Sequence, residues 1–119
     1  MADDVLKILK KASAGLTYPS ETDAPFEPFV WEGKGTARDQ VAARAGKGKP
    51  IEEVAIDAFF KELEESDDAE RFKQLRKVLE EQLQGLKVFR VGKIRIDVYL
   101  IGQAKSGKWA GLHTVSVET

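Results

Sequence analysis

Ile94-Arg95-Ile96-Asp97-Val98-Tyr99-Leu100-Ile101-Gly102 is the stretch whose reading decides the fold. Ile94, Ile96, Val98 and Leu100 occupy every second position, with Arg95, Asp97, Tyr99 and Ile101 between them. Successive side chains of a strand point to opposite faces, so an apolar row of period two predicts a strand lying on a core. Gly102 is expected to end that strand. Upstream, residues 86–91 read as an extended run, and Gly92-Lys93 as the reversal that follows it. Downstream, Lys105-Ser106-Gly107-Lys108 reads as a turn, and a last strand runs from about Trp109 to Val117. Strands joined by short turns pair antiparallel, which predicts at least three such strands within 86–117. Ile101, Leu112 and Tyr99 are expected opposite the main apolar row. They need cover of their own, so helices lie on at least one face of the sheet, in a helix–sheet–helix layering.

Moving outward, the period lengthens. Val5, Ile8, Leu9 and Ala12 repeat at helical spacing and predict a helix over 3–14, with Asp3 or Asp4 as cap and Gly15 as stop. Pro19, Pro25 and Pro28 make 17–28 a constrained surface loop. Phe29-Val30-Trp31 is a short strand, and 37–45 a short helix closed by Gly46, Gly48 and Pro50. Val54-Ala55-Ile56 is a weak strand candidate. Asp57 is then expected to cap a short helix carrying Phe59, Phe60 and Leu63, ahead of a mostly acidic turn at 64–70. A longer helix has Phe72, Leu75, Val78, Leu79, Gln82 and Leu83 at inner and boundary positions, and Gly85 as its end.

The chain has 119 residues, which predicts one domain spanning 1–119. It contains no cysteine, so disulfide scaffolding and thiolate chemistry are excluded. Nineteen basic and 20 acidic residues leave a formal charge of −1, with no global pull towards nucleic acid or an anionic membrane. The acidic start Met1-Ala2-Asp3-Asp4 lacks a leader's basic and apolar segments, and no apolar run approaches the roughly 18 residues of a spanning helix. A cytoplasmic protein is the expectation, with Thr119 as its natural end.

Catalytic signatures are absent from the sequence. The one histidine, His113, lies on the last predicted strand, where neighbouring Thr114 points to the other face; a structural role is expected. Asp97 is expected to pair with Arg95 or Arg90 across the sheet. Glu62, Glu64, Glu65, Asp67, Asp68 and Glu70 match no calcium-loop order and read as a solvated helix boundary. Gly33-Lys34-Gly35-Thr36 lacks the full phosphate-loop pattern, and Gly46-Lys47-Gly48-Lys49 is a second small basic loop. The end of the chain differs from these. A strand through Val115-Ser116-Val117 leaves only Glu118 and Thr119 beyond it, so a rigid sheet would hold the terminal carboxylate near a fixed position. Such a cluster of oxygen atoms suits a hard divalent cation or a basic pocket on another protein.

Several ordered blocks carry a resemblance. They are Leu9-Lys10-Lys11-Ala12-Ser13-Ala14-Gly15-Leu16, Ser20-Glu21, Pro25-Phe26-Glu27-Pro28-Phe29-Val30-Trp31-Glu32-Gly33 and Val54-Ala55-Ile56-Asp57-Ala58-Phe59-Phe60. Val88-Phe89-Arg90-Val91-Gly92, Ile96 to Gly102, Ala110-Gly111 and Val117-Glu118-Thr119 complete the set. Together they resemble the nuclease A inhibitor family, the NuiA-like proteins of bacteria. The resemblance implies a three-layer α/β/α sandwich with a largely antiparallel central sheet. It implies a non-catalytic inhibitor of a sugar-non-specific, divalent-metal-dependent DNA/RNA endonuclease. Partner contact then falls to Glu21, Glu118 and Thr119, with Thr119 approaching the catalytic Mg2+ of the nuclease. The chain itself needs no cofactor, no direct nucleic acid, no membrane and no obligate homo-oligomer on this reading. The family's inhibitor also grips through an Asp-Trp pair between the short and long helices. Here that segment is Glu64-Glu65-Ser66-Asp67-Asp68 and has no tryptophan, which leaves open a related binding module with a different partner.

Overall fold

The computed structural model describes residues 3–18, 24–45, 48–65 and 68–117. Its elements run α1 (Asp3–Ser13), β1 (Glu27–Trp31), α2 (Ala37–Ala45), β2 (Ile51–Val54), α3 (Ile56–Leu63), α4 (Ala69–Gln82), β3 (Leu83–Val91), β4 (Arg95–Ala104) and β5 (Trp109–Val117). The five strands form one sheet in the order β1-β5-β4-β3-β2, and every neighbouring pair is antiparallel.

Two cores follow from the alternation along β3, β4 and β5. On one face Val88, Ile96, Val98, Leu100 and Leu112 meet Leu9 of α1, Phe59, Phe60 and Leu63 of α3, and Phe72, Leu75 and Leu79 of α4. On the other, Phe89, Val91, Tyr99 and Ile101 meet Ala37 and Val41 of α2, with Phe29, Trp31, Ile51 and Trp109 packed at the margin. The layering is therefore α/β/α, with three helices on one side and one on the other.

Most element boundaries agree with the sequence, and the departures have physical causes. Leu112 pairs directly with Leu100, so it shares that residue's face and does not stand opposite it. β2 lies at 51–54, three residues before the expected segment, because Ile56 already begins α3. Asp57 does not cap α3; Ala55 holds the cap position, and the Asp57 carboxylate accepts from Arg76 of α4. Arg76 also donates to Glu80 at 2.8 Å and lies over the Phe60 ring. Gly85 does not end α4. The helix stops at Gln82, and Leu83 enters β3 at once, with φ −124°. Gly85, at φ +64°, serves the register shift between Gln84 and Lys87. That irregularity explains Gly102, which lies inside β4 opposite Ala110 and does not end it. A Cβ at Gly102 would stand 2.8 Å from the Leu83 Cβ and 3.0 Å from the Gln84 carbonyl oxygen.

The margins of the sheet are modest. β1 carries Pro28, a residue without an N–H and tolerated in strands mainly at edges. β2, at the opposite edge, has four residues with Glu52 and Glu53 exposed. Across the helical face, Arg71 of α4 donates to the Ala14 carbonyl at 2.7 Å and fastens the end of α1, where Ser13 Oγ also donates back to the Leu9 carbonyl.

Candidate functional site

β5 is the strand from which the chain end departs, and it is held from both sides. Arg95 pairs with Val117, Ile96 with Ser116 and Val98 with Thr114. Ser116 and Thr114 are buried, so the last turns of this strand are fixed by packing as well as by its ladder. Glu118 and Thr119 lie outside the described residues, as does Glu21.

The feet of the loop that carries Glu21 are described. Tyr18 N–H donates to the Ala24 carbonyl at 2.8 Å, and Thr17 bridges Pro25. Tyr18 stacks on Phe59 at 5.6 Å and meets Phe26 edge-on at 6.3 Å, while Phe26 meets Phe72 at 6.0 Å. Both feet are therefore buried in the larger core. Thr114 Oγ1 then donates to the same Ala24 carbonyl at 3.3 Å, tying the loop's second foot to β5. Since Glu27 pairs with His113, the chain leaving β1 backwards runs towards the Val117 end of β5. Ala24 and Val117, where the described chain resumes and ends, thus both lie towards one end of the sheet.

His113 faces the thinner helical layer. Its Nε2 lies 3.0 Å from Asp97 Oδ1, and its ring packs 4.8 Å from that of Tyr99. This names a partner for Asp97 that the sequence reading did not find, because the pair is diagonal: Asp97 is opposite Val115 and His113 opposite Tyr99. Burial, with the Asp97 charge adding to it, pushes the Tyr99 hydroxyl above the usual tyrosine range. No serine, cysteine or second carboxylate completes a catalytic set there in the described contacts. Among the described residues no group of His, Cys, Asp and Glu side chains is arranged to hold a metal ion.

The Gly-rich segment before α2 has a structural use. Thr36 N–H donates to Asp39 Oδ2 at 2.9 Å, and Asp39 N–H donates to Thr36 Oγ1 at 3.2 Å, a reciprocal cap. Buried Gln40 donates to the Lys34 carbonyl at 2.5 Å. The Asp39 carboxylate thus takes up the Thr36 N–H, which a phosphate-cradling loop would keep for its ligand. Of the second basic loop, Gly48 is described and has φ +85°, while Gly46 and Lys47 lie outside the described residues. So do Ser66 and Asp67 of the acidic turn; Glu64, Glu65 and Asp68 beside them stand in turns at the helix ends, as expected.

The sequence reading also misplaces Ile94. It sits in the apolar row of the deciding segment, yet the structure leaves it 66% exposed beyond the first residue of β4. Alternation predicts the face correctly, but it cannot say where the sheet stops.

The described structure is thus a three-layer α/β/α fold with a paired strand end at Val117, buried feet at Tyr18 and Phe26, and a capped turn before α2. The chain belongs to the nuclease A inhibitor-like protein family, whose model matches residues 3–119. That family is one of inhibitor-like proteins. A comparison with curated proteins finds no match to the chain. Among the described residues, no helix is long and apolar enough to cross a membrane.

Proposed function

We propose that this protein inhibits a sugar-non-specific, divalent-metal-dependent DNA/RNA endonuclease of bacteria. On this reading Thr119 approaches the catalytic Mg2+ of the nuclease, and Glu21 and Glu118 support the contact. The observation that carries it is that Ala24, which follows the segment of Glu21, and Val117, which precedes Glu118 and Thr119, lie towards one end of the sheet, in a chain of the inhibitor family. A nuclease binds anionic phosphate through its cation and basic side chains. A carboxylate and a hydroxyl delivered there can occupy the phosphate position, while an acidic loop matches the basic surroundings. Blocking the site in this way requires no catalytic group in the inhibitor.

Rigid feet matter to this mechanism. Contact segments that start from fixed feet, here Tyr18, Ala24 and Val117, lose less conformational freedom on association than segments that start from mobile ones. The absence of tryptophan from 64–68 favours a second reading, a related binding module whose partner is not a nuclease.

Titration of the full-length protein into a Mg2+-dependent, sugar-non-specific endonuclease separates the two readings. Inhibition is expected, and deletion of Thr119 or Glu21→Ala should raise the inhibition constant by about tenfold or more while unfolding temperature stays unchanged. Equal inhibition by the full-length and shortened proteins would reject the role of Thr119. A protein that inhibits none of a panel of such nucleases, yet binds a purified non-nuclease partner, belongs to the second reading.

A further inference from the structure

The same end of the sheet carries the turn between β3 and β4, with Lys93-Ile94-Arg95 at its tip. Ile94 is 66% exposed and Ile8, on α1, 37%; these are the large hydrophobic side chains left exposed among the described residues. A lone exposed isoleucine is ordinary on a protein surface. Its position is what distinguishes Ile94. Arg95 pairs with Val117, so Ile94 stands one residue beyond the last described pair of the β4–β5 ladder. β5 lies between β1 and β4 in the sheet. The described end of β5 therefore has the foot at Ala24 on its β1 flank and Ile94 on its β4 flank.

The tip is also held. Gly92 adopts φ +112°, and its N–H donates to the Pro50 carbonyl at 3.1 Å. Ile96, two residues on, is buried in the larger core. An isoleucine supported in this way meets a partner without first being ordered. Charge divides across the tail: exposed Glu27 begins β1 on the loop side, and exposed Lys93 and Arg95 frame Ile94 on the other. The two flanks fit a surface that is basic where the loop docks and apolar with an acidic rim where the turn docks. An apolar centre within a charged rim is the usual anatomy of a tight protein contact.

We infer that Ile94, framed by Lys93 and Arg95, is an apolar anchor for the partner nuclease; the inference rests on the nuclease-inhibitor reading. A partner surface that closes over Val117 at this end of the sheet also meets Ile94, one residue beyond the Arg95–Val117 pair. The anchor lies on the β4 side of Val117 and the foot at Ala24 on the β1 side, so contacts through both would flank β5. It also supplies apolar contact that the acidic turn at 64–68, without a tryptophan, does not.

Ile94→Asp, in the full-length protein, is titrated into a Mg2+-dependent, sugar-non-specific endonuclease beside Ile94→Leu, Ile94→Ala and Ile8→Asp. Ile94→Asp should raise the inhibition constant by about tenfold or more, and Ile94→Ala by a smaller factor. Ile94→Leu and Ile8→Asp should stay within about twofold of the parent, because one keeps the apolar contact and the other lies on α1. The three Ile94 variants should unfold at the parent's temperature, since that side chain is mostly exposed, and Ile8→Asp, whose side chain is largely covered, is compared at a temperature where it remains folded. Should Ile94→Asp unfold early, Ile94→Ala takes its place, and parental inhibition by that variant would overturn the anchor. Parental inhibition by a folded Ile94→Asp, with loss on deleting Thr119, would overturn the anchor and leave the nuclease reading standing. An equal loss in Ile8→Asp would also overturn it, and a parent protein inactive against every nuclease would remove both.

Discussion

The two faces of the sheet are covered very differently. Three helices lie on the first, where Leu9, Phe60, Phe72, Leu75, Leu79, Val98 and Leu100 are withdrawn from water. One nine-residue helix lies on the second, where Phe29, Trp31 and Trp109 remain half-buried and polar Asp97 and His113 share the surface. The thick face withdraws more apolar surface from water than the thin one and so has the larger means to stabilise the fold. Both belong to one sheet, so the first can hold rigid the strand end that the proposed contact uses.

That contrast is easy to break. Phe60→Ala should produce the largest effect, about 3–5 kcal/mol lost in chemical denaturation, because a fully buried ring leaves a cavity among α3, α4 and the sheet. Trp31→Ala, on the thin face, should lose roughly 1–2 kcal/mol. Its ring is only partly withdrawn from water and is stacked on Phe29 at 4.0 Å, with Arg44 lying 4.1 Å above it. A loss for Trp31→Ala equal to that for Phe60→Ala would show that the faces share stability evenly. The smallest effect concerns pH. Burial raises the Tyr99 hydroxyl pKa in the folded protein, so the unfolded phenol ionises first. Its contribution is fully present below the ordinary tyrosine pKa of about 10 and is lost as pH rises through the higher folded value. Tyr99→Phe should flatten the alkaline fall in unfolding free energy, leaving neutral stability nearly unchanged. An unaltered alkaline slope would mean that the thin face does not shield this ring.

Strand β4 was legible because alternation from Ile96 to Ile101 is a local signal with one interpretation. Glycine carried no such certainty. Gly15, at φ +78°, follows the end of α1 and Gly92 turns the chain as expected, whereas Gly85 sits at a register shift inside β3 and Gly102 lies inside β4, close against Leu83 and Gln84 of the neighbouring strand. The difference lies in what crosses the glycine from a neighbouring strand, which a single segment does not contain. Leu112 failed for the same reason: its face depends on the register that sets it opposite Leu100. The site was legible in another way. Glu21, Glu118 and Thr119 came from the family's ordered blocks, and they lie outside the described residues. What the fold adds is the common end from which their segments leave. Ile94 needed the fold altogether, since its row is apolar and only the end of the sheet exposes it.

Pro28 has a consequence beyond the strand that contains it. A sheet is finite only if its outermost strands refuse further partners, and each margin here has its own means. The missing N–H of Pro28 interrupts β1 as a template for another backbone, while the brevity of β2 and the paired carboxylates of Glu52 and Glu53 discourage stacking on the opposite side. Copies of the chain crowded together are thereby discouraged from zipping into aggregates, and that protection depends on no bound partner. Replacing Pro28 would test colloidal behaviour at high concentration more than it would test the fold.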